Sequence, residues 1–296
     1  MIVESKKLLV THHAPDLDAV GAVWMFKRFS PVLFADAKVT FVNPGETLTR
    51  TAAEILGFDL LDVTHVDTGL GEFDHHQLSK ALLPVCATSL VYDDLSQSFP
   101  HLTNDSALRT LVEYINDVDH FGEIHWPDSA HWRYSLMIHE LLHGLEFQNP
   151  YDDEALLQFG LQCLDAAYSS LKQNLKAYEV IAHNGVEFEL EAGTGLALET
   201  SNDDTIKVAQ KQGYIIVVRK DPKLGNIRIK ARPDSPIDLK QMYDQVCDKD
   251  PHSTWYYHNS GKMLLNGSHK HRNQIASKLS LEAIVRLLKD CYGESK

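Results

Sequence analysis

The chain has no C-x-x-C pair. Its four cysteines, Cys86, Cys163, Cys247 and Cys291, are scattered along 296 residues. That spacing argues against a structural zinc site and a disulfide framework, and fits reduced thiols in a cytoplasmic protein. No apolar run approaches the length of a membrane span, so no membrane association is expected. The opening "MIVESKKLLVTHHAPD" carries too few apolar residues after its charges for a signal peptide and reads as a first strand. Basic residues are in deficit: 28 Lys and Arg against 41 Asp and Glu give a net charge of −13. Duplex DNA, which is bound through clustered cations, is therefore not an expected partner. Internal repeats and low-complexity segments are absent. What is present is a globular composition, 44% hydrophobic and 23% charged, able to bury a core in one large domain or two ordinary ones.

The first half alternates strand and helix signals. "KLLVTHH", "AKVTFVNPG" and "DVTHVDTG" read as strands, and "GEFDHHQ" as the end of a further short one. "LDAVGAVWMFKRF", "TLTRTAAEILGF", "ATSLVYDDLSQ" and "SALRTLVEYINDVDHF" carry helical periodicity. Such alternation predicts an α/β fold with a parallel sheet in residues 1–150. A long helix is expected across 151–183, starting near Asp152 or Asp153. Residues 184–296 read as a smaller α+β domain, with strands "VEFELEAG", "YIIVVRK", "NIRIKAR", "TWYYHN" and "KMLLNG" and helices "IDLKQMYDQVCD" and "SLEAIVRLLKDCY".

In parallel sheets ligands gather at the carboxyl ends of strands. Two polar clusters fall there. "HHAPDLDAVG" supplies His12, Asp16 and Asp18 at the start of a helix, where backbone amides favour carboxylates. Simple N-capping explains one of these aspartates but not both and the histidine. "HVDTGLGEFDHHQ" supplies Asp67, Asp74, His75 and His76. Imidazole and carboxylate together suit manganese, zinc or iron, with magnesium where oxygens dominate. "YINDVDHFG" adds Asp117, Asp119 and His120 near a helix end, where an anion is unfavourable without a cation. Two ions a few Å apart can bracket a phosphoryl centre.

Taken in order, His12-x-x-x-Asp16-x-Asp18, Asp67 and Asp74-His75-His76 resemble the DHH phosphoesterase superfamily. That group includes RecJ-type exonucleases, oligoribonucleases and manganese-dependent pyrophosphatases. Gln77, the tight spacing of Asp67 from Asp74 and "NDVDHFGE" are most similar to the melanocyte-proliferating-gene (MYG) branch, although that branch usually opens with a different first motif. The resemblance covers roughly residues 8–122. It implies two divalent cations, manganese before magnesium. One would be held by His12, Asp16 and Asp67, the other by Asp18, Asp67, His75 and Asp119, with Asp67 shared. His76 would face the substrate phosphate and Asp74 would orient a neighbouring histidine. The implied substrate is short single-stranded RNA or a small nucleotide, with a pyrophosphatase-like activity or non-catalytic nucleotide binding as alternatives. Oligomeric state is left open between monomer and homodimer.

The superfamily's glycine-rich substrate loop is not clear in the second half. "LLNGSHKHRN" is its stand-in, with Asn266, Gly267, Ser268 and His269 as donors to a phosphate. Arg228 and Arg232 share one face of the "RIKAR" strand and are further substrate candidates. A rival centre is "HELLH", His139 to His143, a literal H-E-x-x-H. On a helix it would present two imidazoles for zinc with Glu140 as base, but no recognisable third ligand follows.

Overall fold

The computed structural model describes residues 7–77, 84–267 and 273–293. The chain divides into two compact units, Met1–Leu171 and Lys172–Lys296. The fold is mixed α/β, with a parallel three-stranded sheet in the first unit and a separate mixed sheet in the second.

The first unit runs β1 (Leu8–His12), α1 (Leu17–Phe29), α2 (Pro31–Phe34), β2 (Lys38–Val42), α3 (Arg50–Leu56), β3 (Val63–His65), α4 (Ala87–Ser98), α5 (Ser106–Asp119) and α6 (Ile138–Gln148), and includes the start of α7 (Asp153–Asn184). The sheet order is β2-β1-β3, all parallel. Leu8, Leu9 and Val10 are fully buried, as a central strand covered on both faces requires. The chain leaves β1 toward β2 and returns past it to β3. The loops after β1 and β3 therefore leave neighbouring strand ends at one edge of the sheet, where parallel sheets bind their ligands. Asp16 caps α1, accepting from the backbone N–H groups of Asp18 and Ala19 at 2.9 and 3.1 Å. α1 is buried almost all round from Leu17 to Phe26. A Cβ at Gly21 would lie 2.3 Å from Thr88 Oγ1, so glycine is what lets α4 pack at this distance.

The expected strand before Asp74 is reduced to one isolated bridge, Val66 with Phe73. The intervening loop is not extended. Asp67, Gly69 and Leu70 all have positive φ, of 53°, 82° and 52°. These left-handed residues turn the chain back on itself and bring Asp74 beside Asp67.

The second unit holds β4 (Val186–Leu190), β5 (Gly193–Glu199), α8 (Asp204–Lys211), β6 (Ile216–Lys220), β7 (Ile227–Ala231), α9 (Lys240–Lys249), β8 (Trp255–Tyr257), β9 (Met263–Asn266) and α10 (Leu281–Tyr292). Its sheet order is β4-β5-β6-β7-β9-β8. Only β5 and β6 are parallel, joined through α8. The sequence reading has neither β5 nor α8. β5 is "GTGLALE", whose two glycines, leucines and alanine carry little intrinsic strand preference; its burial in mid-sheet decides it. α8 is short and polar, with Thr205, Ile206, Val208 and Ala209 as its buried face.

Candidate metal centre

His12 ends β1. Its Nδ1 lies 2.8 Å from the carbonyl oxygen of His13. A carbonyl only accepts, so Nδ1 carries the proton and Nε2 is the atom turned to the site. Nε2 is 3.2 Å from Asp67 Oδ2. The other oxygen of Asp67 faces away from His12: Oδ1 is 3.6 Å from His75 Nε2 and 3.8 Å from His76 Nδ1. His75 Nε2 also lies 3.6 Å from Asp119 Oδ2. Three groups of donors close enough to share an ion result: His12, Asp16 and Asp67; Asp67, His75 and His76; His75, Asp119 and His120. Asp67 and His75 each belong to two of them.

Asp67 Oδ1, His75 Nε2 and Asp119 Oδ2 are buried and have no hydrogen-bond partner. Buried polar atoms left unpaired are costly. His75 Nε2 stands 3.6 Å from each of the two carboxylate oxygens, and imidazole with carboxylate is a donor chemistry that suits divalent cations. The residues present fit such an ion.

Asp18 belongs to none of these three groups. It is 2% exposed, and the backbone N–H groups of Ala87 and Thr88 donate to its Oδ2 and Oδ1 at 2.7 and 2.8 Å. It thus caps α4 from a distant part of the chain. Each oxygen keeps a second lone pair, and Oδ2 stands 3.9 Å from His75 Nε2. Asp74, also buried, accepts from the Leu70 and His76 backbone N–H groups and lies 2.8 Å from His76 Nδ1. Burial alone would raise its pKa, but these hydrogen bonds outweigh it and hold the carboxyl below its usual range. His76 is consequently fixed in orientation while its side chain is 61% exposed.

Asp153 belongs to the site, although the sequence offers it only as a helix start. Its Oδ1 accepts from the Ala14 backbone N–H at 2.7 Å and its Oδ2 lies 2.6 Å from His13 Nδ1. It clamps the turn after β1, where Ala14 has φ 49°, and so holds the His13 carbonyl that sets the His12 tautomer. His120 joins a donor group and His13 meets Asp153. Asp117 instead accepts from Trp126 Nε1 at 2.6 Å.

The rival centre does not assemble. Among the described residues, no ligand-spaced group contains His139 or His143. His139 Nδ1 lies 3.0 Å from the Tyr114 hydroxyl, and His143 packs edge-on against Phe147.

In the second unit the substrate candidates are engaged within their own unit. Arg228 donates to Asp203 Oδ2 at 2.7 Å, and Arg232 pairs through Nε and Nη2 with Asp234 at 2.9 and 2.5 Å. Asn266 is fully buried. Its Nδ2 donates to the Thr254 and Ile275 carbonyls and its Oδ1 accepts from the Ser277 N–H, so its side chain is a latch between loops rather than a donor to a ligand. Gly267 has φ 83°, a conformation that favours glycine. Ser268 and His269 lie outside the described residues.

Without a cation the cluster repels itself. Burial pushes Asp67 up to about 7, with Asp18 and Asp16 adding to what His12 offsets. Burial, then Asp18, Asp16 and Asp67, raise Asp119 to about 8. For His12 burial opposes the charge, but Asp67 and Asp16 outweigh it and raise the ring to about 9. A raised pKa stabilises the fold below the unfolded value and loses that contribution as pH climbs through the folded one. All three groups therefore weaken the ion-free fold as pH rises toward 9. A cation replaces these protons, so its stabilisation grows over the same range. The rise in Tm on adding manganese is expected to be larger at about pH 8.5 than at about pH 6. Scanning calorimetry checks this, and an equal or smaller rise at the higher pH refutes it.

No family model matches the chain, and no curated protein matches it. Among solved structures it is similar to one described as a member of a family of ribosomal proteins, with a DHH domain. The identity is 13% and the TM-score 0.34, over 98% of this chain and 88% of that one.

Proposed function

We propose that this chain is a divalent-cation-dependent phosphoesterase of the DHH superfamily, nearest its MYG-like branch. On this reading it hydrolyses phosphodiester bonds of short single-stranded RNA or small nucleotides in the cytoplasm. The observation that carries the reading is Asp67, buried, with Oδ2 toward His12 and Oδ1 toward His75 and His76. A carboxylate so placed would serve two cations, with His12 and Asp16 completing one set and His75, Asp119 and Asp18 the other. Manganese is the expected occupant of such a mixed imidazole and carboxylate site. Bound there, two cations would lower the pKa of a water and neutralise phosphoryl oxygens.

The remaining roles belong to the chain's own groups. His76, held by Asp74, presents an exposed ring able to hydrogen-bond a phosphoryl oxygen. Asp153 and the His13 carbonyl fix the His12 ring, so Nε2 meets the site without a search among rotamers. No helix among the described residues is long and apolar enough to cross a membrane.

Metal analysis combined with a substrate panel tests the proposal. The expected result is two cations per chain and turnover of dinucleotides or short RNA. Turnover of pyrophosphate alone would move the reading to phosphoanhydride hydrolysis. One zinc per chain with peptide cleavage would overturn it. Nucleotide binding without turnover of any substrate would leave a binding protein.

A further inference from the structure

The helix that carries Asp119 ends in an unusual way. After the capping residue His120 comes Phe121, at φ 58° and ψ 25°. This left-handed position closes many helices and is normally glycine or asparagine, because a Cβ is strained there. A glycine does follow, but one residue late. Gly122 is needed where it is, since a Cβ there would fall 1.9 Å from Asp117 Oδ1. The chain thus places a bulky aromatic in a strained conformation two residues from a candidate metal ligand. The ring is not used for packing: Phe121 is 72% exposed. Strain held at an exposed aromatic points to function rather than to stability.

Phe121 lines a cavity of about 220 Å³ within the first unit. Asp16, Asp18 and Asp119 form part of its wall, so it opens onto the metal centre. Ile115 and Leu142 give it an apolar lining, and the H-E-x-x-H helix contributes His143. This volume is below the roughly 300–1,000 Å³ of sites for drug-sized ligands and suits a single ring system. Glu146, the carboxylate of the lining not assigned to a cation, disfavours a second phosphate and can accept a hydrogen bond from an amino group.

We infer that Phe121 and the cavity it borders form a stacking pocket for the nucleobase next to the scissile phosphate. A base is flat, uncharged and fringed with N–H donors, which matches an aromatic face, an apolar wall and a carboxylate. The inference rests on the phosphodiesterase reading and narrows it: nucleotides are favoured over pyrophosphate, which has nothing to place in the pocket. It also gives the α6 histidine face a place, as a wall of the base pocket instead of a zinc site.

Three variants and three measurements, of kinetics, nucleotide binding and Tm, test it. Kinetics are measured with manganese on a dinucleotide and on its two analogues that each lack one base. Calorimetry measures binding of adenosine monophosphate to the same full-length proteins. Phe121→Ala is expected to raise KM on the dinucleotide and weaken nucleotide binding on the order of tenfold, with kcat little changed. Phe121→Trp, which keeps a stacking face, is expected to restore both. One abasic analogue is expected to be poor with the parent protein and indifferent to Phe121→Ala. Phe121→Gly separates stacking from folding: it should raise Tm by about 2–4 °C as the strain is relieved, while binding as poorly as the alanine variant. Unchanged nucleotide affinity in Phe121→Ala overturns the pocket, as does an equal KM rise on both abasic analogues. If no phosphodiester is turned over at all, the hydrolase reading fails, and the calorimetric arm alone decides whether a base stacks here.

Discussion

Asp67→Asn is expected to abolish phosphodiester turnover while leaving the ion-free fold more stable than the parent. The two effects have one cause. Asp67 is 3% exposed and its carboxyl is pushed up to about 7 by burial and by its acidic neighbours. In the ion-free protein that charge is a liability, and the amide removes it. The left-handed φ of 53° at this position is also one that asparagine tolerates. With cations present the balance reverses, because the shared negative charge between the two donor sets is gone. Losing several kcal/mol of charge stabilisation corresponds to at least about a thousandfold in rate. Turnover on a dinucleotide, bound metal and Tm in chelator at about pH 8 are the three measurements. Parent-like turnover in a folded variant would remove the shared-carboxylate mechanism.

Asp18→Ala is expected to fail on both counts, in activity and in stability. The Ala87 and Thr88 amides at the start of α4 lose their acceptor in a buried place. Loss of a helix cap of this kind costs about 1–2 kcal/mol, and more where water cannot replace it. α4 packs on α1 through Gly21 and Thr88, so its first turn cannot shift without disturbing the loop that carries Asp16. Asp18→Asn should recover part of the stability, keeping one acceptor, but not the activity. Denaturant unfolding in chelator isolates the cap, and turnover with manganese reads the site. Parent-like stability of both variants would show that the amides find another acceptor.

The contrast between these aspartates shows where sequence reading stops. His12, Asp16, Asp67 and His75 stand out in the chain because their residue types and order match a metal chemistry, and the structure brings them together with Asp119. A parallel sheet places strand ends side by side whatever lies between them, so this convergence was legible. The capping role of Asp18 was not, since its partners are about seventy positions away. Asp153 reads as an ordinary helix start for the same reason: only the folded chain brings His13 to it. The strand expected before Asp74 failed because left-handed residues, one of them Leu70, replace extended backbone there, and leucine gives no local sign of that. Asn266 looked like a ligand in a polar turn and is a buried latch, a distinction set by loops that meet it from Thr254 and Ile275.

The aspartates and histidines of the centre, and the Asp153 clamp behind them, lie between His12 and Asp153, inside the unit that ends at Leu171. Nascent chains emerge at roughly 5–20 residues per second, and N-terminal domains fold first. On the proposed reading, the first unit would therefore have its whole donor set outside the ribosome while the end of the chain was still being made.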